Sequence, residues 1–123
     1  MTAPFASAMI GALAILIALA SPAAAHSELR RTNPASNAVL DASPAEIVVE
    51  FNERVQVTTL RLVDSAGRQT RLPTTTLRAA ASIERVALTA PLAPGRWQIE
   101  WAAISADGHP ISGRAFFEVR TRQ

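Results

Sequence analysis

From residue 26 onward, hydrophobic and polar positions alternate along much of the chain. In Glu46-Ile47-Val48-Val49-Glu50-Phe51, the residues Ile47, Val49 and Phe51 share one face. Thr58 to Asp64 alternates less cleanly, with Leu60 and Leu62 on one side and Arg61 on the other. Ile83 to Thr89 sets Val86 and Leu88 two apart. The clearest run is Arg96 to Trp101: Trp97, Ile99 and Trp101 face one way, Arg96, Gln98 and Glu100 the other. Arg114 to Arg120 sets Ala115, Phe117 and Val119 against Phe116, Glu118 and Arg120. Short runs of period two, rich in β-branched and aromatic residues, predict strands. Asn33-Pro34, Ser43-Pro44, Ser65-Ala66-Gly67, Pro91 and Pro94-Gly95 are turn signals between them. Residues 73–82, Thr-rich and then Ala-rich, read either as a short strand and loop or as a helical turn. The expected fold class is all-β, an antiparallel β-sandwich or barrel.

The first 25 residues break this pattern. Residues 5–20 are apolar or small throughout, and Ser21-Pro22-Ala23-Ala24-Ala25 follows. An apolar core, a helix-breaking proline and an A-x-A site predict a signal peptide over residues 1–25, cleaved after Ala25. The stretch carries no Arg or Lys, and its apolar run is short for the ~30 Å of hydrocarbon a spanning helix crosses. Residues 26–123 then form one domain, exported and, in a double-membraned bacterium, periplasmic. His26 becomes the first residue of the mature chain, with a free α-amine beside its imidazole. The chain has no Cys, so packing and sheet hydrogen bonds stabilise it without disulfides.

Charge narrows the picture only slightly. All 12 basic residues are Arg, set against 10 acidic residues. The arginines are spread from Arg30 to Arg122 with acids among them. Without a basic run, nucleic acid is not an expected partner.

Candidate chemistry gathers in Ser105-Ala106-Asp107-Gly108-His109-Pro110-Ile111-Ser112-Gly113. Gly and Pro mark this as a loop, from which Asp107 and His109 can project together. An Asp-x-His pair alone is a weak metal signal. The chain has only two His, and the other is His26. The α-amine of a terminal His has a pKa of about 7.7–8.0, so a metal displaces its proton near neutral pH. Amine and imidazole of His26, imidazole of His109 and a carboxylate oxygen of Asp107 make three nitrogens and one oxygen. That set suits tetragonal Cu(II); Zn(II) accepts similar atoms but prefers a tetrahedron. Both Met residues, Met1 and Met9, precede residue 26, so the mature chain has no thioether or thiolate for Cu(I). No nucleophile–base pair is visible, which argues against hydrolytic chemistry.

These residues resemble the CopC family of exported copper-binding proteins. The likeness runs in order through His26, Leu29 and Asn33-Pro34-Ala35, then Ser43-Pro44-Ala45-Glu46-Ile47 and Val49-Glu50-Phe51-Asn52-Glu53. It continues through Leu92-Ala93-Pro94-Gly95, Trp97, Trp101, the Ser105–Gly113 stretch and Phe117. The resemblance implies a Greek-key β-sandwich of about seven strands binding one Cu(II) near one end, and no enzymatic activity. It implies His26, Asp107 and His109 as ligands. Glu53 matches a family glutamate near the terminal histidine and is expected as a weak ligand or a hydrogen-bond partner, or else is a solvated strand-end charge. Lacking Met, the chain resembles the Cu(II)-only members. The implied role is copper sequestration, resistance or delivery, with a CopD-like inner-membrane copper transport protein as partner.

Two other readings remain open. One is an immunoglobulin-like interaction module without metal, in which His26 and His109 are far apart. The other is a copper-dependent oxidative enzyme, since lytic polysaccharide monooxygenases also hold copper with an N-terminal His. Against the second, the chain is small, has no Tyr, and sets Trp97 and Trp101 on the expected core face.

Overall fold

The computed structural model describes residues 27–121, together with Thr2 and Pro4. The rest of the expected signal peptide, and His26, lie outside the described residues. Seven strands follow in order: β1 (Leu29–Asn33), β2 (Ala38–Leu40), β3 (Glu46–Asp64), β4 (Gln69–Arg71), β5 (Ala81–Ala87), β6 (Gly95–Ile104) and β7 (Pro110–Val119). The chain is all-β. Among the described residues no helix is long and apolar enough to cross a membrane.

β3 belongs to both layers. Its first part pairs with β1 and β5, and its second with β6 and β4. The runs expected separately at 46–51 and 58–64 are therefore one long strand. The reason lies in the residues between them. Val55 and Val57 are buried and continue the odd-numbered inward phase of Ile47, Val49 and Phe51. Val57 pairs with Ala103 and Thr59 with Ala102, so Thr58 is an extra residue on β3. A one-residue bulge moves every later side chain to the other face. The inward phase becomes even-numbered, and Leu60 and Leu62 enter the core.

The expected faces fill this core. Ile99, Trp101, Val86, Ala115, Phe117 and Val119 are all buried. Phe51 meets Trp101 edge to face at 5.0 Å, joining the two layers, an arrangement the ring quadrupoles favour. Gly113, opposite Trp101 on β7, leaves room for the indole: a Cβ there would lie 2.6 Å from Trp101 Cζ2. Trp97 is only half-buried, and its Nε1–H donates to the Ala93 carbonyl at 2.9 Å.

One feature departs from the expected antiparallel pattern. β2 runs parallel to β7, because the chain leaves β1 in one layer and reaches the edge of the other. Within residues 73–82, read as a short strand and loop or as a helical turn, residues 75–78 form a hydrogen-bonded turn and β5 opens at Ala81. That turn is held by Glu84, an inward residue of β5 that is 1% exposed. Its carboxylate accepts from Thr75 N at 2.9 Å, Thr75 Oγ1 at 3.1 Å and Thr76 N at 3.0 Å. A buried charge is tolerated only with such partners.

Candidate metal centre

β6 and β7 are joined by residues 105–109, at the end of the sandwich where β6 finishes. Ser105 N donates to the His109 carbonyl at 2.8 Å, and Gly108 N to the Ser105 carbonyl at 2.9 Å. Gly108 takes φ 85°, a left-handed conformation that glycine adopts without steric penalty. Pro110 opens β7, a position where its missing amide hydrogen is tolerated.

This closed turn brings Asp107 and His109 together. His109 Nδ1 lies 2.9 Å from Asp107 Oδ2. The Ser105 hydroxyl donates to Asp107 Oδ1 and accepts from His109 N, the latter at 3.0 Å. The Ser105 hydroxyl, and after it the His109 side chain, hold the Asp107 carboxyl down at a pKa of about 2. Asp107 therefore presents an anion at any ordinary pH. Both side chains are open to solvent, His109 at 77% and Asp107 at 53%. With Nδ1 donating to Asp107, the Nε2 atom of His109 carries the lone pair available to a metal.

Four further polar contacts tie the start of the described chain to β3 and to this turn. The Ser27 hydroxyl donates to Glu53 Oε1 and accepts from Ala106 N at 3.3 Å. Beside it, Glu28 N donates to Asn52 Oδ1 at 2.8 Å, and Asn52 N to the Glu28 carbonyl at 3.0 Å. Glu53 sits where the pairing of β3 with β5 shifts register, between Glu50 and Val55, and it is half-buried.

Of the sequence-predicted ligands, the structure brings Asp107 and His109 into contact and links Glu53 to their loop through Ser27. His26 is outside the described residues. Among the described residues no group of three or more His, Cys, Asp or Glu side chains is assembled to hold a metal. Asp107 and His109 alone offer one oxygen-bearing and one nitrogen ligand, an incomplete set. The roles of Ser27 and Ser105 were not visible in the sequence. A serine beside the motif carries no periodic signal, and its partners are set by the fold.

The CopC domain model matches residues 29–120. The copper transport protein CutJ of Bacillus subtilis is 31% identical over 110 residues, covering 87% of this chain. The match spans only 20% of CutJ's own length. Copper resistance protein C of Pseudomonas syringae pv. tomato is 31% identical over 106 residues, covering 80% of this chain and 83% of that protein. In fold, the chain is similar to the crystal structure of CopC from Methylosinus trichosporium OB3b. The TM-score is 0.70 at 22% identity, over 80% of this chain and 97% of that one. It is also similar to PcoC, a methionine-rich copper resistance protein from Escherichia coli. There the TM-score is 0.56 at 24% identity, over 78% of this chain and 100% of that one.

Proposed function

The chain belongs to the CopC family of copper resistance proteins, which are not enzymes, and from that premise we propose that it is an exported Cu(II) carrier. Residues 1–25 are the signal peptide, and residues 26–123 are the mature domain in the periplasm. One Cu(II) binds through the α-amine and imidazole of His26, the imidazole of His109 and the Asp107 carboxylate. Glu53 supports the site from outside the ligand set. The bound ion is sequestered or passed to a CopD-like inner-membrane copper transport protein.

One observation carries this reading. Ser27, the residue covalently attached to His26, is bonded both to Glu53 and to the backbone of the Asp107–His109 loop. Consecutive Cα atoms are 3.8 Å apart, and the position of Ser27 supports a chelate that joins the mature terminus to an ion at that loop. The composition supports the oxidation state: residues 26–123 hold neither Met nor Cys, the soft ligands Cu(I) favours.

The test is a Cu(II) titration of residues 26–123 with a native His26 terminus, read by electron paramagnetic resonance. One equivalent producing a tetragonal, nitrogen-rich spectrum is expected. Weak, heterogeneous binding would sink the proposed ligand set.

A further inference from the structure

Two serines occupy matching places at this end of the molecule. The Ser105 hydroxyl bridges Asp107 Oδ1 and His109 N within the loop. The Ser27 hydroxyl bridges Glu53 Oε1 on β3 and Ala106 N in the loop. Ser27 is 8% exposed although it stands at the start of the described chain. A chain terminus is ordinarily poorly ordered unless tied down.

Ser27 joins segments far apart in sequence, 26 residues away on one side and 79 on the other. Its two contacts also differ in kind. Toward Glu53 the hydroxyl is a donor, and the carboxylate makes that bond charge-assisted and strong. Toward Ala106 the same oxygen is an acceptor. A bond donated to an anion polarises a hydroxyl and strengthens its oxygen as an acceptor. Glu53 thus acts on the loop through Ser27. A hydroxyl is the smallest side-chain group able to donate and accept at once in this way. The neighbouring bonds between Glu28 and Asn52, one to the Asn52 side chain and one between backbones, fix the direction of the segment but reach only β3. Ser27 alone, among these contacts, also reaches the loop.

We infer that Ser27 is a positioning residue for the copper site, a hydroxyl relay that holds the mature terminus in register with the Asp107–His109 loop, with Glu53 acting through it rather than on the metal. This rests on the copper reading above. The entropic penalty of ordering a free terminus is then met on folding, before the ion arrives, and affinity rises for lack of that penalty. Metal-site partners outside the ligand set typically contribute ten- to a hundredfold in affinity.

The test uses residues 26–123 with the native terminus, in two stages. In the metal-free protein, Ser27→Ala should speed hydrogen exchange at the Ala106 amide, and Ser27→Thr should restore protection. This stage is independent of copper. In Cu(II) competition titrations, Ser27→Ala and Glu53→Ala should each lower affinity about tenfold or more, with an altered copper hyperfine coupling. The double variant should lose no more than either single one, and Ser27→Thr should keep the wild-type spectrum. Wild-type affinity and spectrum in Ser27→Ala would overturn the inference while leaving the ligand set standing. Additive losses would also overturn it, because Glu53 would then act on the metal independently. A wild-type protein without a nitrogen-rich Cu(II) signal would remove both the ligand set and the relay. Unchanged exchange at Ala106 would remove the relay alone.

Discussion

Glu84 and Asp107 are both carboxylates held by hydroxyl and amide donors, yet they do opposite work. Glu84 lies 1% exposed inside the sandwich. Its oxygens receive three bonds from Thr75 and Thr76 of the 75–78 turn. Asp107 stands on a hairpin at one end, its side chain 53% exposed, with an imidazole at 2.9 Å. The first carboxylate satisfies the protein's own donors and secures a turn. The second is open to solvent, beside the exposed imidazole of His109. The difference teaches that a well-bonded carboxylate marks a site only where exposure leaves part of its capacity for something else.

The contrast can be broken most directly at the terminus. Leaving one residue before His26 converts the amine to an amide, and Cu(II) affinity should fall by more than about a thousandfold, since an amide nitrogen does not bind as the deprotonated amine does. Unchanged affinity in a matched competition titration would falsify the terminal chelate. Next in size, His109→Ala should lower affinity by more than about a hundredfold, beyond the loss expected for a partner outside the ligand set. Because His109 is largely exposed, metal-free stability should move by less than about 0.5 kcal/mol.

Glu84 should behave in the reverse way. Glu84→Ala leaves the buried Thr76 amide and the Thr75 donors without their acceptor and should cost about 3 kcal/mol in urea unfolding. Glu84→Gln should cost less, and the folded fraction of either should bind Cu(II) like the wild type. A Glu84→Gln protein of full stability but impaired copper binding would erase the distinction between the two carboxylates. Gly113→Ala should destabilise by about 1–3 kcal/mol, because a Cβ there overlaps Trp101. A neutral result would mean that the indole moves aside freely.

The smallest effect is in pH. The folded-state pKa of Asp107 is lowered from 3.8 to about 2 by Ser105 and then His109. A lowered carboxyl pKa contributes stability above the unfolded value, and that contribution is lost as pH falls through the folded value. The window is therefore from about pH 4 down to about pH 2. Metal-free Asp107→Asn should lose slightly less stability than the wild type across that window in thermal unfolding. A wild-type and Asp107→Asn pair with parallel acid profiles would show that the Ser105 and His109 contacts do not bias the carboxyl.

Much of the fold was legible because alternation records burial directly. The odd phase of Ile47, Val49 and Phe51 and the faces of β6 and β7 needed only a period of two. The bulge at Thr58 was also written in the chain, as the change from odd Val55 and Val57 to even Leu60 and Leu62. Recognising it depended on treating 52–57 as continuous strand despite Asn52, Glu53 and Arg54. The parallel β2 was not legible, since three residues carry too little pattern to reveal a partner. Glu84 was hidden for a different reason. It occupies an inward position in phase with Val86, where only the Thr75–Thr76 turn makes a charge acceptable.

At the end of the sandwich that carries Asp107 and His109, the two sources of information divide along physical lines. Residue chemistry and local order supplied the expectation of a terminal His26, the Asp107-Gly108-His109 turn and the lack of soft ligands after residue 25. Each of these is a property of a few neighbouring residues. The contacts from Ser27 to Glu53 and to Ala106 span 26 and 79 residues and exist only after β3 and β6 have paired. A hydroxyl looks the same in sequence whether it meets water or a carboxylate. Its partner is chosen by the closure of the sandwich, and that choice belongs to the tertiary structure.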